Sequence, residues 1–153
     1  TAAQLLMPKP DYVLDAIDHF TAKAALIKVC REQNIPVISS MGAANKLDPA
    51  KICVADISAT RNCRMARSMR KMLRKTGIES GVQVVYSTEE HRELNPLAAH
   101  CGTGCICPNR GSQIFSCENR RVILGSISYI PSIFGLTMAG VVINDLLKTH
   151  QEE

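Results

Sequence analysis

Apolar residues recur along this chain in short runs that alternate between two periodicities. Tyr12 to Ile17 is a brief, strand-like apolar run ending in acids. Thr21 to Gln33 then places Ala24, Leu26, Ile27, Val29 and Cys30 at the spacing of an amphipathic helix. Ile35 to Ser39 and Ile52 to Ile57 are β-branched and predict strands, with Asn45, Asp48 and Pro49 marking the turn between them. As consecutive strands they are expected to be neighbours. Arg61 to Lys75 predicts a helix stopped by Gly77, Val82 to Tyr86 a strand, and Glu89 to Gln113 a long irregular crossover containing Pro96 and Pro108. A final helix is expected from about Pro131 to Lys148. No internal repeat or low-complexity tract interrupts the series.

The stretch from Val122 to Ile143 carries no charge and is bounded by Arg120 and Arg121 before it and Asp145 after it. Its length would suit a membrane span. Gly125, Ser126, Ser128, Pro131, Ser132, Gly135, Thr137 and Gly140 dilute it, however, and Pro131 would interrupt a helix near the middle of the run. A buried strand, a turn and a buried helix form the second reading.

Composition adds limits. The chain has 153 residues, 46% hydrophobic and 21% charged, which suits one folded domain and excludes a disordered tail, a collagen or a charged linker. Lys and Arg number 18 against 14 Asp and Glu, a net charge of +4, so an anionic partner is permitted but not required. Seven cysteines, an odd number and mostly scattered, argue against a secreted disulfide framework and for a reducing, intracellular compartment. The chain opens at Thr1 without a complete element before Tyr12, and reads as a single-domain fragment over residues 1–153 that lacks its N-terminal part.

Three groups of residues carry candidate chemistry. Asp15 and Asp18 close the first strand-like run, where the carboxyl ends of strands in an open α/β sheet face a ligand crevice. Asp18 there could hold magnesium beside a phosphate, or simply cap the helix that starts near Phe20. Arg61, Arg64, Arg67, Arg70, Lys71, Arg74 and Lys75 fall on one half of a helix, opposite Met65, Ala66, Met69, Met72 and Leu73. Such a face suits a phosphate backbone, with an anionic membrane, an acidic protein or plain solvation as the other readings. Cys101, Cys105, Cys107 and Cys117, beside His100, could hold zinc, but their spacing is not that of common paired-cysteine sites. A reactive thiol near Arg110, or ordinary reduced cysteines, are the alternatives. Cys30 and Cys53 lie within apolar runs and are expected in the core.

In this order the landmarks resemble those of the adenylating family related to ubiquitin-activating enzymes, and most closely its tRNA threonylcarbamoyladenosine dehydratases. Asp15-Ala16-Ile17-Asp18 followed by Lys23-Ala24-Ala25-Leu26-Ile27 resembles the family's strand end and helix, and Ile35-Pro36-Val37 its next strand. Gly42-Ala43, Leu47-Asp48-Pro49, Val54, Asp56 and Ile57 follow, then Arg70 and Leu73 in the basic helix, Val85-Tyr86-Ser87-Thr88-Glu89, and Phe134-Gly135 at the last helix. The match covers nearly the whole chain and is poor from Glu90 to Ser128.

The resemblance implies the C-terminal part of a Rossmann-like α/β adenylating-enzyme fold, lacking the first strands and the glycine-rich nucleotide loop. It implies a homodimeric enzyme that uses ATP and magnesium to adenylate the carboxylate of threonylcarbamoyladenosine in tRNA, ring closure then expelling AMP. Asp18 matches the magnesium-associated acid, and Arg64, Arg67, Arg70, Lys71 and Arg74 would hold the anticodon arm. Without the glycine-rich loop, this chain alone is expected neither to bind ATP tightly nor to turn over. Cys63-Arg64 stands where the family usually has Asp-Pro, and His19 where Ser or Asn is usual. No cysteine is assigned as nucleophile. An activator of a ubiquitin-like or sulfur-carrier protein is the alternative enzyme. A noncatalytic RNA-binding or membrane-surface module is the alternative from another class. A cytoplasmic location is expected, with mitochondrial or membrane-associated ones left open.

Overall fold

The computed structural model describes residues 2–90, 124–149 and 151. In chain order these form α1 (Ala2–Leu5), β1 (Val13–Asp15), α2 (Phe20–Glu32), β2 (Val37–Ser40), β3 (Ile52–Asp56), α3 (Arg64–Arg74), β4 (Gln83–Ser87) and α4 (Tyr129–Thr149), with short 3₁₀ turns on either side of β3. The strands build one sheet in the order β1-β2-β4-β3, with β1, β2 and β4 parallel and β3 antiparallel at the edge. The crossover Glu89 to Gln113 lies almost wholly outside the described residues.

β2 and β3 are therefore not neighbours, contrary to the expectation from their order, because β4 lies between them. Burial explains the exchange. Val84 and Val85 are both inaccessible to solvent although they point to opposite faces, so β4 must be covered on both sides. Every residue of β3 is only partly buried, which suits an edge.

Of three apolar clusters, the two larger lie on the two faces, and a third gathers Leu6, Cys30, Ile35 and Val37. Ile27 from α2 and Ala66, Met69 and Leu73 from α3 pack with Val84 and Tyr86, whereas Ile130, Phe134, Met138 and Val142 of α4 pack with Ile38 and Val85. The latter four recur every fourth residue, one stripe of a helix. By length and composition Tyr129–Lys148 could also cross a membrane, but this stripe lies against the sheet. Pro131 sits in the first turn of α4, where a missing N–H costs no helical bond, so the proline starts the helix that it would have broken further along. The strand expected ahead of it is absent among the described residues, since residues 124–127 are irregular. At the other end, the Tyr12 hydroxyl lies 3.2 Å from Gln83 Oε1 and 3.3 Å from Asp145 Oδ2, tying α4 to the sheet. Burial, aided by the Asp145 charge, pushes the Tyr12 pKa up to about 12.

Helix ends follow local chemistry. α3 starts at Arg64, later than Arg61, because Cys63 has extended backbone and its Sγ accepts the Ala66 N–H at 3.4 Å. Gly77, at φ +80°, turns the chain so that Ile78 N donates to the Leu73 carbonyl at 3.0 Å. α2 is capped by His19, whose Nδ1 accepts the Ala22 N–H at 3.3 Å, so Asp18 is not the cap.

A buried polar knot joins β1, β2 and α2. Lys23 Nζ donates to Asp15 Oδ2 at 2.7 Å, to Ser39 Oγ at 3.1 Å and to the Ser40 carbonyl at 2.9 Å, which employs all three ammonium donors. Ser39 Oγ donates to Asp15 Oδ2 at 2.6 Å. Burial pulls the Lys23 pKa down, against the opposing pull of Asp15 and Asp18. Replacing one partner of such a pair strands the other. Lys23→Met is thus expected to lower stability by about 3–5 kcal/mol in urea unfolding, and a loss below about 1 kcal/mol would refute this account of the knot.

Candidate functional site

The carboxyl ends of β1 and β2 open toward the same edge of the sheet as the first turns of α3 and α4. Asp15 Oδ1 accepts the Ile17 N–H at 3.0 Å, so the knot also shapes the turn that carries Asp18 outward. Asp18 is exposed, and among the described residues it has no hydrogen-bond partner. A cavity of about 240 Å³ lies beside it, walled by Ala16, Ile17, residues 40–43, Met65 and the start of α4 at Pro131, Phe134, Gly135 and Met138. Asp18 also borders a second cavity of about 590 Å³, which runs past Phe20, Lys46, Asn62, Cys63, Arg64 and Ser68 to Leu124, Gly125 and Ser126.

The loop between β2 and β3 forms one wall of the larger cavity and is held from two sides. Asn45 N donates to the Gly125 carbonyl at 2.8 Å, and Tyr129 Oη donates to the Leu47 carbonyl at 2.7 Å. Glu89 is buried, and its Oε2 accepts the N–H groups of Leu47 and Asp48 at 2.9 and 3.0 Å. Lys46 is buried too, donating to the main-chain carbonyl of Glu89. Burial pulls the Lys46 pKa down, while Cys63 and Glu89 nearby oppose that shift.

α3 runs from the rim of this cavity. Arg64, Arg67, Lys71 and Arg74 are exposed, while Ala66, Met69 and Leu73 face the core, as the periodicity predicts. Arg70 departs from the expected set. It is half-buried, and its Nη1 donates to the Ile57 carbonyl at 3.4 Å, the Thr60 carbonyl at 3.0 Å and the Thr60 hydroxyl. Its guanidinium ties α3 to the preceding turn, because position 70 lies where the polar half of the helix meets the protein.

Asp18 is an oxygen donor of the kind magnesium takes, since that ion usually binds through one or two carboxylates together with phosphates and water. Its free carboxylate at a cavity mouth fits this role. Among the described residues no group of three or more His, Cys, Asp or Glu could hold a metal. Cys101, Cys105, Cys107 and Cys117, the zinc candidates, lie outside the described residues, as does His100. Of the other cysteines, Cys30 is fully buried, as expected, and burial pushes its thiol pKa up. Cys53 packs partly buried against the core, and Cys63 caps α3 at the larger cavity.

Lys23, Ser39, Lys46 and Glu89 belong to this region without having been picked out as functional residues. Lys23 had a signal, since it shares a helical stripe with Ile27 and Cys30 and so breaks an apolar face. Lys46 and Glu89 had none, because 43 positions separate them and no local pattern links the pair.

A mostly parallel sheet with an acid beyond a strand end, a crevice and helices on both faces is the architecture of a nucleotide-handling α/β protein. The chain belongs to the ThiF family, whose profile matches residues 1–153. It is 41% identical over 138 residues to the tRNA threonylcarbamoyladenosine dehydratase of Bacillus subtilis, a match covering 90% of this chain and 51% of that protein. The crystal structure of the Escherichia coli tRNA N6-threonylcarbamoyladenosine dehydratase with AMP superposes with a TM-score of 0.75 at 24% identity, covering 99% of this chain and 55% of the other. The same enzyme with ATP gives 0.74 at 24% identity, over 99% and 54%. The Rossmann-like adenylating fold expected from the resemblance is thus the one found. The chain spans about half the length of the Bacillus subtilis relative.

The contrast along α3 can be measured. Arg70→Ala is expected to lower stability by about 1–3 kcal/mol, since it leaves the Thr60 carbonyl without its donor. Arg67→Ala and Lys71→Ala should stay within about 0.5 kcal/mol of the parent. Equal effects at all three positions in thermal or urea unfolding would contradict the placement of Arg70.

Proposed function

We propose that the full-length protein carrying this chain is a tRNA threonylcarbamoyladenosine dehydratase, closing the threonylcarbamoyl group into a ring at the expense of ATP. The observation that carries the reading is the juxtaposition of Asp18, two adjacent cavities that share lining residues, and the exposed arginines of α3 at one edge of an adenylating fold. The names of the relatives support the substrate, and the AMP and ATP complexes of the Escherichia coli enzyme support the nucleotide.

In this mechanism the free carboxylate of the modified adenosine attacks the α-phosphorus of ATP and pyrophosphate leaves. The neighbouring ureido group then closes onto the activated carbonyl carbon and gives up an N–H proton to solvent, and AMP departs with one carboxylate oxygen. Asp18 would hold magnesium, whose charge offsets that of the phosphates. Asp15 and Lys23 keep the Asp18 turn in place, and Arg64, Arg67, Lys71 and Arg74 bind the tRNA backbone. The reading includes a homodimer in a reducing cytoplasm. Glycine-rich phosphate-binding chemistry is not part of this chain's sequence, and the 153 residues by themselves are taken to be inactive.

The test is AMP release by the full-length protein with tRNA that carries threonylcarbamoyladenosine and with the same tRNA lacking it. AMP is expected only with the modified tRNA. AMP formed only with a carrier protein ending in Gly-Gly would replace this reading with the activator one, and salt-sensitive RNA binding without any AMP would leave a binding module. Asp18→Asn should reduce AMP formation about 100-fold without moving the melting midpoint, since an amide cannot supply the carboxylate charge. Changing Arg67, Lys71 and Arg74 together to Ala should flatten the dependence of log Kd for tRNA on log salt by about 2 to 3. An unaltered slope would remove α3 from the tRNA interface.

A further inference from the structure

The larger cavity has a buried cation whose partner is neutral. Lys46 is 5% exposed, yet among the described residues its ammonium makes a single hydrogen bond, to the main-chain carbonyl of Glu89, and no ion pair. The Glu89 carboxylate is directed elsewhere, with Oε2 held by the N–H groups of Leu47 and Asp48. An ammonium has three donors, so two are left without a partner among the described residues, and Lys46 lines the cavity. Lys23 is the contrast within the same molecule, because its three donors all end on Asp15, Ser39 and Ser40. One of these lysines completes a closed knot, and the other keeps bonding capacity at a cavity wall.

The rest of the wall says what would satisfy it. Arg64 adds a second cation, and Asp18 at the mouth is the only carboxylate among the described lining residues. At about 590 Å³ the cavity falls within the size range of small-molecule sites. A small organic anion attached to a larger polar body fits these terms, with the anion inside and the body toward the arginines of α3. A carboxylate taken from water into this cavity needs a charged donor there, or its desolvation goes uncompensated.

Resting on the dehydratase reading, we propose that Lys46 receives the free carboxylate of the threonylcarbamoyl group and holds it for adenylation. A lysine suits the step. As a point donor it can bond one carboxylate oxygen and leave the second free to attack phosphorus, whereas the planar fork of an arginine engages both oxygens. Lys46 thereby binds the ground state through one oxygen while the other becomes the bridge to the α-phosphate. Its position is fixed by the loop that Glu89, Gly125 and Tyr129 hold in place.

The experiment compares binding of the free nucleoside threonylcarbamoyladenosine with that of its carboxyl methyl ester, by calorimetry on the full-length protein. The parent should bind the acid about tenfold more tightly than the ester, and Lys46→Met and Lys46→Gln should reduce that preference to about twofold or less while leaving ester affinity unchanged. Lys46→Arg should keep the preference for the acid and lose AMP formation from modified tRNA. An acid preference that survives in Lys46→Met overturns the proposal. So does loss of ester binding in both neutral variants, which would make Lys46 a strut of the loop. Failure of the parent to release AMP with modified tRNA would strike the dehydratase reading itself. Release of AMP with no acid preference in the parent would remove Lys46 alone.

Discussion

The ion pair between Asp15 and Lys23 ties two strands and a helix together at one point. It joins the end of β1 to α2, and through Ser39 and the Ser40 carbonyl it joins both to the end of β2. With its second oxygen Asp15 holds the Ile17 N–H and so bends the chain toward Asp18. A hydrophobic substitute of equal volume could fill the same space, but it could not tie a strand end, a helix and a turn at once. The cluster is fully bonded, and no buried side-chain nitrogen or oxygen among the described residues lacks a partner. That completeness makes a lysine tolerable in an apolar layer.

What could be read in the sequence was what depends on neighbours a few residues apart. The helices α2 and α3 show their apolar stripes directly, and the core places Ile27 and Met69 where those stripes point, whereas α4 is apolar nearly all round and its buried side, at Phe134, emerges only against the sheet. The order of the strands could not be read the same way. β4 takes the central place because Val84 and Val85 need cover on both faces, a demand that concerns the sheet as a whole. At the site, Asp18 was legible from its place after a strand and from the family pattern. Lys46 and Glu89 were not, since their contact links a loop to the end of a distant strand. Arg70 shows the limit of periodicity. A helical wheel assigns it to the basic half, but the turn at residues 57–60 rises to meet it there.

The two departures from the family pattern look different once the helix ends are seen. His19 and Cys63 both stand at N-caps, of α2 and α3, and each accepts an N–H three residues on through a ring nitrogen or a sulfur. Sulfur is a weak acceptor beside a carboxylate. The Cys63 thiol at this cap and the Glu89 carboxylate both lie near Lys46, and each opposes the fall that burial imposes on the Lys46 pKa.

Arg70 has one more consequence. Its guanidinium is bonded to the turn before α3, which pins the helix to that turn and opposes rolling or sliding of the cations on its outer side. Arg67 and Arg74 lie two helical turns apart, a separation of about 10 Å along the axis, with Lys71 between them. On the tRNA-binding reading proposed above, such a row would act as a ruler laid along the polyanion, matching the spacing of its charges without reading bases.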